Sequence, residues 1–299
     1  MKDDYYLLIR NKLIDNEIYE RVKDYSKERN KVLTYFDIGR ILYDAGSKYG
    51  EDIIGDYSKK LMIEVGKKYN KRTLYRMKQF YMKFNKEKVS PLGTQLTWSH
   101  YRVLLPLNEY NEIIYYIKQV EKRRLTKRQL EDIVRNKEYY RLPLESRKKI
   151  IDDNKFELKD TIKDPIIIKS NKNVKNEKIL QRIILEDISS FLKSLGDGFT
   201  FIDNEYKIKI DDKYNYIDIL LYNIDYNCYV VVELKVTEYK KEYVGQIQTY
   251  MNYCDKYLKK DNQGSTLGII LVRSLNEIYV EYSSNENIIA RKYVLFNSI

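Results

Sequence analysis

The sequence predicts a two-domain α+β protein, an all-α N-terminal domain followed by an α/β domain with a mixed central sheet. Three observations predict it. Up to about residue 140, apolar residues recur at helical spacing with hardly any alternation. Beyond about residue 177, a helix gives way to short apolar runs separated by turn residues, the pattern of strands. The chain is 299 residues long, enough to bury two cores, and its charge divides unevenly between them.

In the first half, Val32, Tyr35, Phe36, Ile38, Gly39 and Leu42 follow one helical stripe. Gly50, Gly55, Gly66, Pro91 and Gly93 punctuate the region into several helices, and Asn70 and Thr97 fit as N-caps. Thr126 with Gln129 makes a capping box at the head of a helix over 127–137. These features assign residues 1–145 to the helical domain. From about 141 to 177 the pattern dissolves into charges, Asn and two prolines, with Asp164-Pro165 as a turn signal, so 146–176 reads as a linker. The second domain, 177–299, begins with a helix over 177–195, ended by Gly196 and Gly198. Strands follow at 199–202, 206–210, 216–222 and 228–236, then a helix at 243–258 and strands at 267–272, 278–282 and 292–296. Helices packed on a mixed sheet are the architecture this order implies.

Residues 1–150 hold 34 Lys and Arg against 21 Asp and Glu, and the remainder holds 21 against 23, so the halves carry +13 and −2 of the net +11. A basic module beside a near-neutral one suggests that the first holds a polyanion through its phosphates. Abundant Lys, Tyr, Asn and Ile are also what an AT-rich gene yields, so charge alone leaves an ordinary solvated surface open. The two cysteines, Cys228 and Cys254, have no metal-like spacing, which points to a reducing cytoplasm. No run of about 18 apolar residues offers a membrane span, so no membrane partner is expected.

Three charged residues interrupt the two most apolar strands: Asp218 in Tyr-Ile-Asp-Ile-Leu-Leu-Tyr, and Glu233 with Lys235 in Val-Val-Val-Glu-Leu-Lys-Val. Desolvating a lone carboxylate costs several kcal/mol, so carboxylates on buried strands are usually paired or bind a cation. Strand alternation puts Glu233 and Lys235 on one face. If the Asp218 strand pairs with the Glu233 strand through the turn at Asp225-Tyr226-Asn227, the two carboxylates can hold one divalent ion, and oxygen ligands favour Mg²⁺ or Mn²⁺. Phosphodiester hydrolysis follows from such a site. The bland reading of a bare E-x-K is an ion pair on a half-exposed edge strand, and the upstream Asp, 15 residues earlier and also inside an apolar strand, argues against it.

At these residues the chain resembles the YhcG-like nucleases, which join a helical N-terminal domain to a PD-(D/E)XK domain. The resemblance runs from about Val32 to Tyr293. It rests on Phe191-Leu192 with Leu195-Gly196-Asp197-Gly198-Phe199, on Ile217-Asp218-Ile219-Leu220-Leu221-Tyr222, on Glu233-Leu234-Lys235, and on Gly245-Gln246-Ile247 followed by Tyr250. It implies a restriction-endonuclease-like fold in which Asp218 and Glu233 bind metal, Lys235 assists the water and Gln246 reaches the site from the next helix. Two departures stand out. Similar sequences tend to carry a first-helix glutamate where this one has Gln181, with Glu177 one turn earlier as the substitute ligand, and a glutamine where this one has Glu205. Altered metal number or affinity is the expected consequence.

The same resemblance covers Asn70-Lys71-Arg72-Thr73-Leu74-Tyr75-Arg76-Met77-Lys78-Gln79-Phe80-Tyr81 and Leu96-Thr97-Trp98-Ser99-His100-Tyr101-Arg102. In the first block Leu74, Met77 and Tyr81 form an apolar stripe, leaving Arg72, Arg76 and Lys83 to face a phosphate backbone or plain solvent. Residues 97–135 are also similar to the helical segment after the helix-turn-helix of ParB-type DNA-binding proteins, through Ser99-His100-Tyr101-Arg102 and Leu125-Thr126-Lys127-Arg128-Gln129-Leu130. Arg102, Arg123, Arg124, Lys127 and Arg128 join the candidate nucleic-acid contacts, with Lys122-Arg123-Arg124 equally readable as wet surface. His100, the only histidine, has no evident nucleophile or carboxylate partner and reads as a packing or capping residue. The expected activity is a Mg²⁺-dependent endonuclease acting on DNA ahead of RNA. Paired cuts would suit a homodimer. The rival reading is a non-catalytic nucleic-acid-binding or interaction module that keeps a nuclease-like fold.

Overall fold

The computed structural model describes residues 2–21, 27–50, 52–85, 95–150, 156–275 and 286–296. The Pro91 and Gly93 breaks and the strand expected at 278–282 lie outside them. The chain forms two compact units, Met1–Tyr139 and Tyr140–Ile299.

The first unit is helical among its described residues, with α1 (Lys2–Arg21), α2 (Lys27–Tyr49), α3 (Asp52–Glu64), α4 (Lys71–Phe84), α5 (Trp98–Leu104), α6 (Tyr110–Arg123) and α7 (Lys127–Arg135). The stripe on α2 buries Val32, Tyr35, Ile38 and Leu42. Gly39 belongs to it for want of a side chain: a Cβ there would overlap the Met77 carbonyl, so glycine lets the backbones of α2 and α4 approach closely. Aromatic rings fill the space around this contact, with Phe36 and Phe80 edge to face at 5.5 Å and Phe80 against Tyr101 at 4.6 Å. The caps stand where expected. Asn70 accepts from the Thr73 N–H at 3.1 Å, and the Thr126 N–H donates to Gln129 Oε1 at 2.8 Å. His100 is buried and its Nδ1 accepts from the Thr97 N–H at 3.2 Å, the capping role read from the sequence.

The second unit holds a six-stranded sheet ordered β1-β6-β5-β4-β3-β2. Its strands are β1 (Ile166–Lys169), β2 (Phe199–Ile210), β3 (Lys213–Asn223), β4 (Cys228–Leu234), β5 (Leu267–Val272) and β6 (Ile288–Phe296). β2, β3 and β4 run antiparallel in sequence, whereas β4–β5, β5–β6 and β1–β6 pair in parallel. One face packs on α10 (Glu177–Glu186) and α11 (Ile188–Leu195) through Ile183, Phe191 and Leu195; the other packs on α12 (Glu242–Tyr253) through Ile247, Tyr250 and Met251. Short helices α8 (Leu144–Lys149) and α9 (Leu158–Thr161) precede the sheet.

The structure corrects three sequence readings here. The 146–176 segment is more than a linker: it carries α9 and β1, and Ile166 and Ile168 bury their side chains as β1 pairs with β6. The single helix expected over 177–195 is two, because the Asp187 carboxylate accepts from the Ser190 N–H at 3.1 Å and caps a new start. The runs at 199–202 and 206–210 are one strand with an irregularity between Phe201 and Asp203. No helix among the described residues is long and apolar enough to cross a membrane.

Candidate active site

β4 is buried along nearly its whole length, so every polar atom on it needs a partner. The β3–β4 ladder runs from Asn223↔Cys228 to Ile219↔Val232, and one further step would set Asp218 opposite Glu233. Backbone pairing stops there. The Leu234 N–H donates instead to Asp218 Oδ2 at 2.7 Å, which pins the carboxylate beside the end of β4. The inside-outside alternation of β3 changes phase at the same place: Ile217 and Leu220 share the core against α12, while Ile219 and Leu221 lie in the opposite core. Glu205, facing this point across the hairpin, holds φ at 48°. A local twist therefore brings Asp218 out of the regular pleat.

Glu233 is 1% exposed and Lys235 8%. Lys235 Nζ donates to Glu233 Oε1 at 2.7 Å, stands 3.7 Å from Glu177 Oε1 and lies 5.1 Å from the Tyr243 ring centroid. Glu233 Oε2 is buried and has no hydrogen-bond partner among the described residues. Burial, reinforced by repulsion from Asp218, pushes the Glu233 carboxyl up to about 7 against the pull of Lys235. Asp218 is also raised, chiefly by burial and further by Glu177 and Glu205, against the Leu234 N–H and Lys235. Lys235 is raised too, because its bond to Glu233 and the surrounding carboxylates outweigh its own burial.

An orphaned carboxylate oxygen beside a second raised carboxylate fits a hard divalent cation, which takes oxygen ligands and offsets both charges. Among the described residues no group of three or more His, Cys, Asp or Glu side chains is gathered as a metal cage. The candidate ligand set is thus Asp218 with Glu233. Glu177, on the first turn of α10 with its side chain 47% exposed, approaches the site through Lys235.

The remaining predicted residues divide. Gln246 lies on α12, but its Nε2 donates to the Tyr250 hydroxyl at 3.1 Å. Arg72, Arg76 and Arg102 come together: burial first, then Arg72 and Arg102, lower the Arg76 pKa. Lys83 does not face outward as expected; it donates to the carbonyls of Leu105, at 2.5 Å, and Leu107, at the end of α5. Arg123 pairs with Glu138 at 3.5 Å and Lys127 with Glu131 at 3.0 Å, while Arg124 and Arg128 are exposed.

Sequence reasoning missed the part played by Gln181. It is buried and its Nε2 donates to the Asp218 carbonyl at 2.8 Å, so it holds the backbone under the candidate ligand. Its place one helical turn after Glu177 was the available signal. Tyr243, over which Lys235 sits, gave no sequence signal beyond its helix.

Residues 159–297 match the family model described as the YhcG PDDEXK nuclease domain, and residues 14–141 match the DUF1016 N-terminal domain. A curated relative from Escherichia coli (strain K12), named "Putative nuclease YhcG", is 23% identical over 303 residues, covering 87% of this chain and 80% of its own. Among solved structures, a repair endonuclease from Pyrococcus abyssi is 21% identical with a TM-score of 0.29, over 43% of this chain and 50% of that one. The EndoMS-dsDNA2 complex is 18% identical with a TM-score of 0.28, over 43% of this chain and 48% of that one. The chain thus spans about half the length of these solved structures.

Proposed function

From a chain that belongs to the YhcG-like family of PD-(D/E)XK nucleases, we propose a divalent-metal-dependent endonuclease that hydrolyses phosphodiester bonds in DNA, with Asp218, Glu233 and Lys235 as its working residues. The nuclease class rests on the family; the metal, the substrate and the residue roles are our reading. The observation that carries it is the buried Glu233 carboxylate, one oxygen held by Lys235 and the other without a hydrogen-bond partner among the described residues, beside a second, half-buried carboxylate on the neighbouring strand.

In this reading Asp218 and Glu233 hold Mg²⁺ or Mn²⁺, which when bound polarises a phosphate oxygen and lowers the pKa of a water. Lys235, kept protonated by Glu233 and Glu177, supplies positive charge where negative charge develops on the phosphate oxygens. The Leu234 N–H and Gln181 fix Asp218 from both sides, through its carboxylate and its carbonyl, so the ligand is oriented before substrate arrives. Gln246 and Tyr250 form a linked pair on α12 that we place at the rim of the site. The basic cluster of Arg72, Arg76 and Arg102 serves in nucleic-acid binding.

The test is incubation of the protein with plasmid, single-stranded DNA and RNA, with Mg²⁺, Mn²⁺ or EDTA, beside Glu233→Ala. We expect metal-dependent cleavage of DNA, reduced at least about a hundredfold in the variant. Undiminished cleavage by Glu233→Ala would remove the assignment, and nucleic-acid binding without cleavage under any metal would favour a non-catalytic binding platform.

A further inference from the structure

We propose that the outward face of the β2–β3 hairpin, formed by Lys207, Lys209, Tyr214 and Tyr216, is a track on which a single strand of nucleic acid lies beside the site. The inference rests on the nuclease reading above and names a surface which that reading does not use.

The register sets Lys207 opposite Tyr216 and Lys209 opposite Tyr214, so the four side chains share one face of the hairpin. The alternate residues Ile208 and Ile217 are fully buried against α12, which turns the lysine and tyrosine face outward. Tyr214 and Tyr216 are 57% and 51% exposed. β4 pairs with β3 only from Ile219 to Asn223, so the part of the hairpin bearing these residues reaches past β4 as a two-stranded arm. Tyr216 is two residues from Asp218 on the same strand, on the side of the hairpin away from α12, whereas Glu233 alternates with Val231 on the α12 side, so the track borders the site from the opposite face of the sheet.

Two half-exposed rings about 7 Å apart along a strand, each opposite a lysine, match the chemistry of an extended single strand. Its bases offer faces for stacking and its phosphates offer charge for the ammonium groups. Lys207 Nζ now lies 3.8 Å from the Tyr214 ring centroid, and Lys209 stands 3.6 Å from the exposed Asp212 carboxylate. Both contacts are solvent-facing and weak enough to be exchanged. A phosphate would draw the Lys207 ammonium from the ring as a base takes its place. A duplex keeps its bases stacked on one another and has no use for two exposed rings, so the face fits a single strand.

The test is binding by fluorescence anisotropy, in EDTA, of the full chain to a short fluorescein-labelled single strand and to the same sequence as duplex. Tyr214→Ala with Tyr216→Ala should weaken single-strand binding at least about tenfold, with a smaller effect on duplex, and Tyr214→Phe with Tyr216→Phe should stay within about twofold of the parent. Lys207→Gln with Lys209→Gln should lower the slope of log K against log salt by about 1.4, at roughly 0.7 per lost phosphate contact. Ultraviolet crosslinking of the parent chain to an iodouridine-substituted single strand should attach to the peptide holding Tyr214 and Tyr216. Unchanged affinity of the alanine pair, equal loss on duplex, or crosslinks confined to other peptides would overturn the track. EDTA separates the two readings: tyrosine-dependent binding by a chain that never cleaves keeps the track and loses the nuclease. A cleaving chain indifferent to these tyrosines does the reverse.

Discussion

Glu233 concentrates the electrostatic tension of the second unit. Its carboxyl, raised from 4.5 to about 7 in the folded chain, binds a proton more tightly folded than unfolded. Between pH ~4.5 and ~7 the unfolded state has therefore released a proton that the folded state keeps, and stability falls as pH rises through that window. At about 1.4 kcal/mol per pKa unit, the loss is on the order of 3 kcal/mol at most. Thermal unfolding in EDTA should thus show a melting temperature that declines from pH 5 to pH 8, with the decline flattened in Glu233→Gln. Mg²⁺ should restore the parent at pH 8, by mass action on the folded state, and leave the variant unmoved. A parent whose stability ignores both pH and Mg²⁺ would leave Glu233 as half of a structural ion pair. At this scale the sequence was informative where a charge broke an apolar run, as at Asp218, Glu233 and Lys235. It was silent where a polar side chain on a helix had several directions open to it. Lys83 turns back to the carbonyls of Leu105 and Leu107, a choice not written in local spacing, and Gln181 turns in to the carbonyl of Asp218, a direction at which only its place one turn after Glu177 hinted.

Elements were legible when their signals were local. Asn70 and Thr126 mark helix starts because each side chain accepts from an N–H within the first turn, Thr97 because its own N–H is answered by the His100 ring, and β5 is where a run of six apolar residues placed it. β1 escaped because four residues after a charged segment become a strand only when β6, far along the chain, pairs with them. The α10–α11 break escaped because Asp187 is tolerable inside a helix and reveals itself only as a cap. Gly39 tests the contact between α2 and α4. Gly39→Ala must push the Met77 carbonyl and the Tyr81 Cβ aside and should cost about 1–3 kcal/mol. Gly55→Ala, inside α3 and facing only the flexible end of Lys71 at 3.8 Å, should gain up to about 1 kcal/mol instead. Denaturant unfolding of the two variants should give opposite signs. Equal effects would mean that the close approach of α2 and α4 does not set the need for glycine at Gly39.

For the molecule as a whole, the division of charge is the property that sequence displayed most directly and that side-chain placement sharpens most. The first half carries the entire positive excess, yet its basic residues are not equivalent. Arg123 and Lys127 have carboxylate partners, Lys83 is committed to backbone carbonyls, and Arg72, Arg76 and Arg102 crowd one another enough to lower the Arg76 pKa beyond the effect of burial. Like charges held together without being neutralised by one another mark the place where a polyanion gains most. Each duplex phosphate contact contributes about 0.9 to the salt slope, so Arg72→Ala, Arg76→Ala and Arg102→Ala together should lower it by up to about 2.7. Replacing Arg123 and Lys127 should change it far less, because their ion pairs already supply the counter-charge. If Asp218 and Glu233 hold Mg²⁺ as proposed, the rise in melting temperature that Mg²⁺ is expected to cause should survive the triple substitution. A triple variant with an unaltered salt slope would move the binding surface off this cluster, and one that also lost the Mg²⁺ response would show that the arginines support folding and not the capture of phosphate.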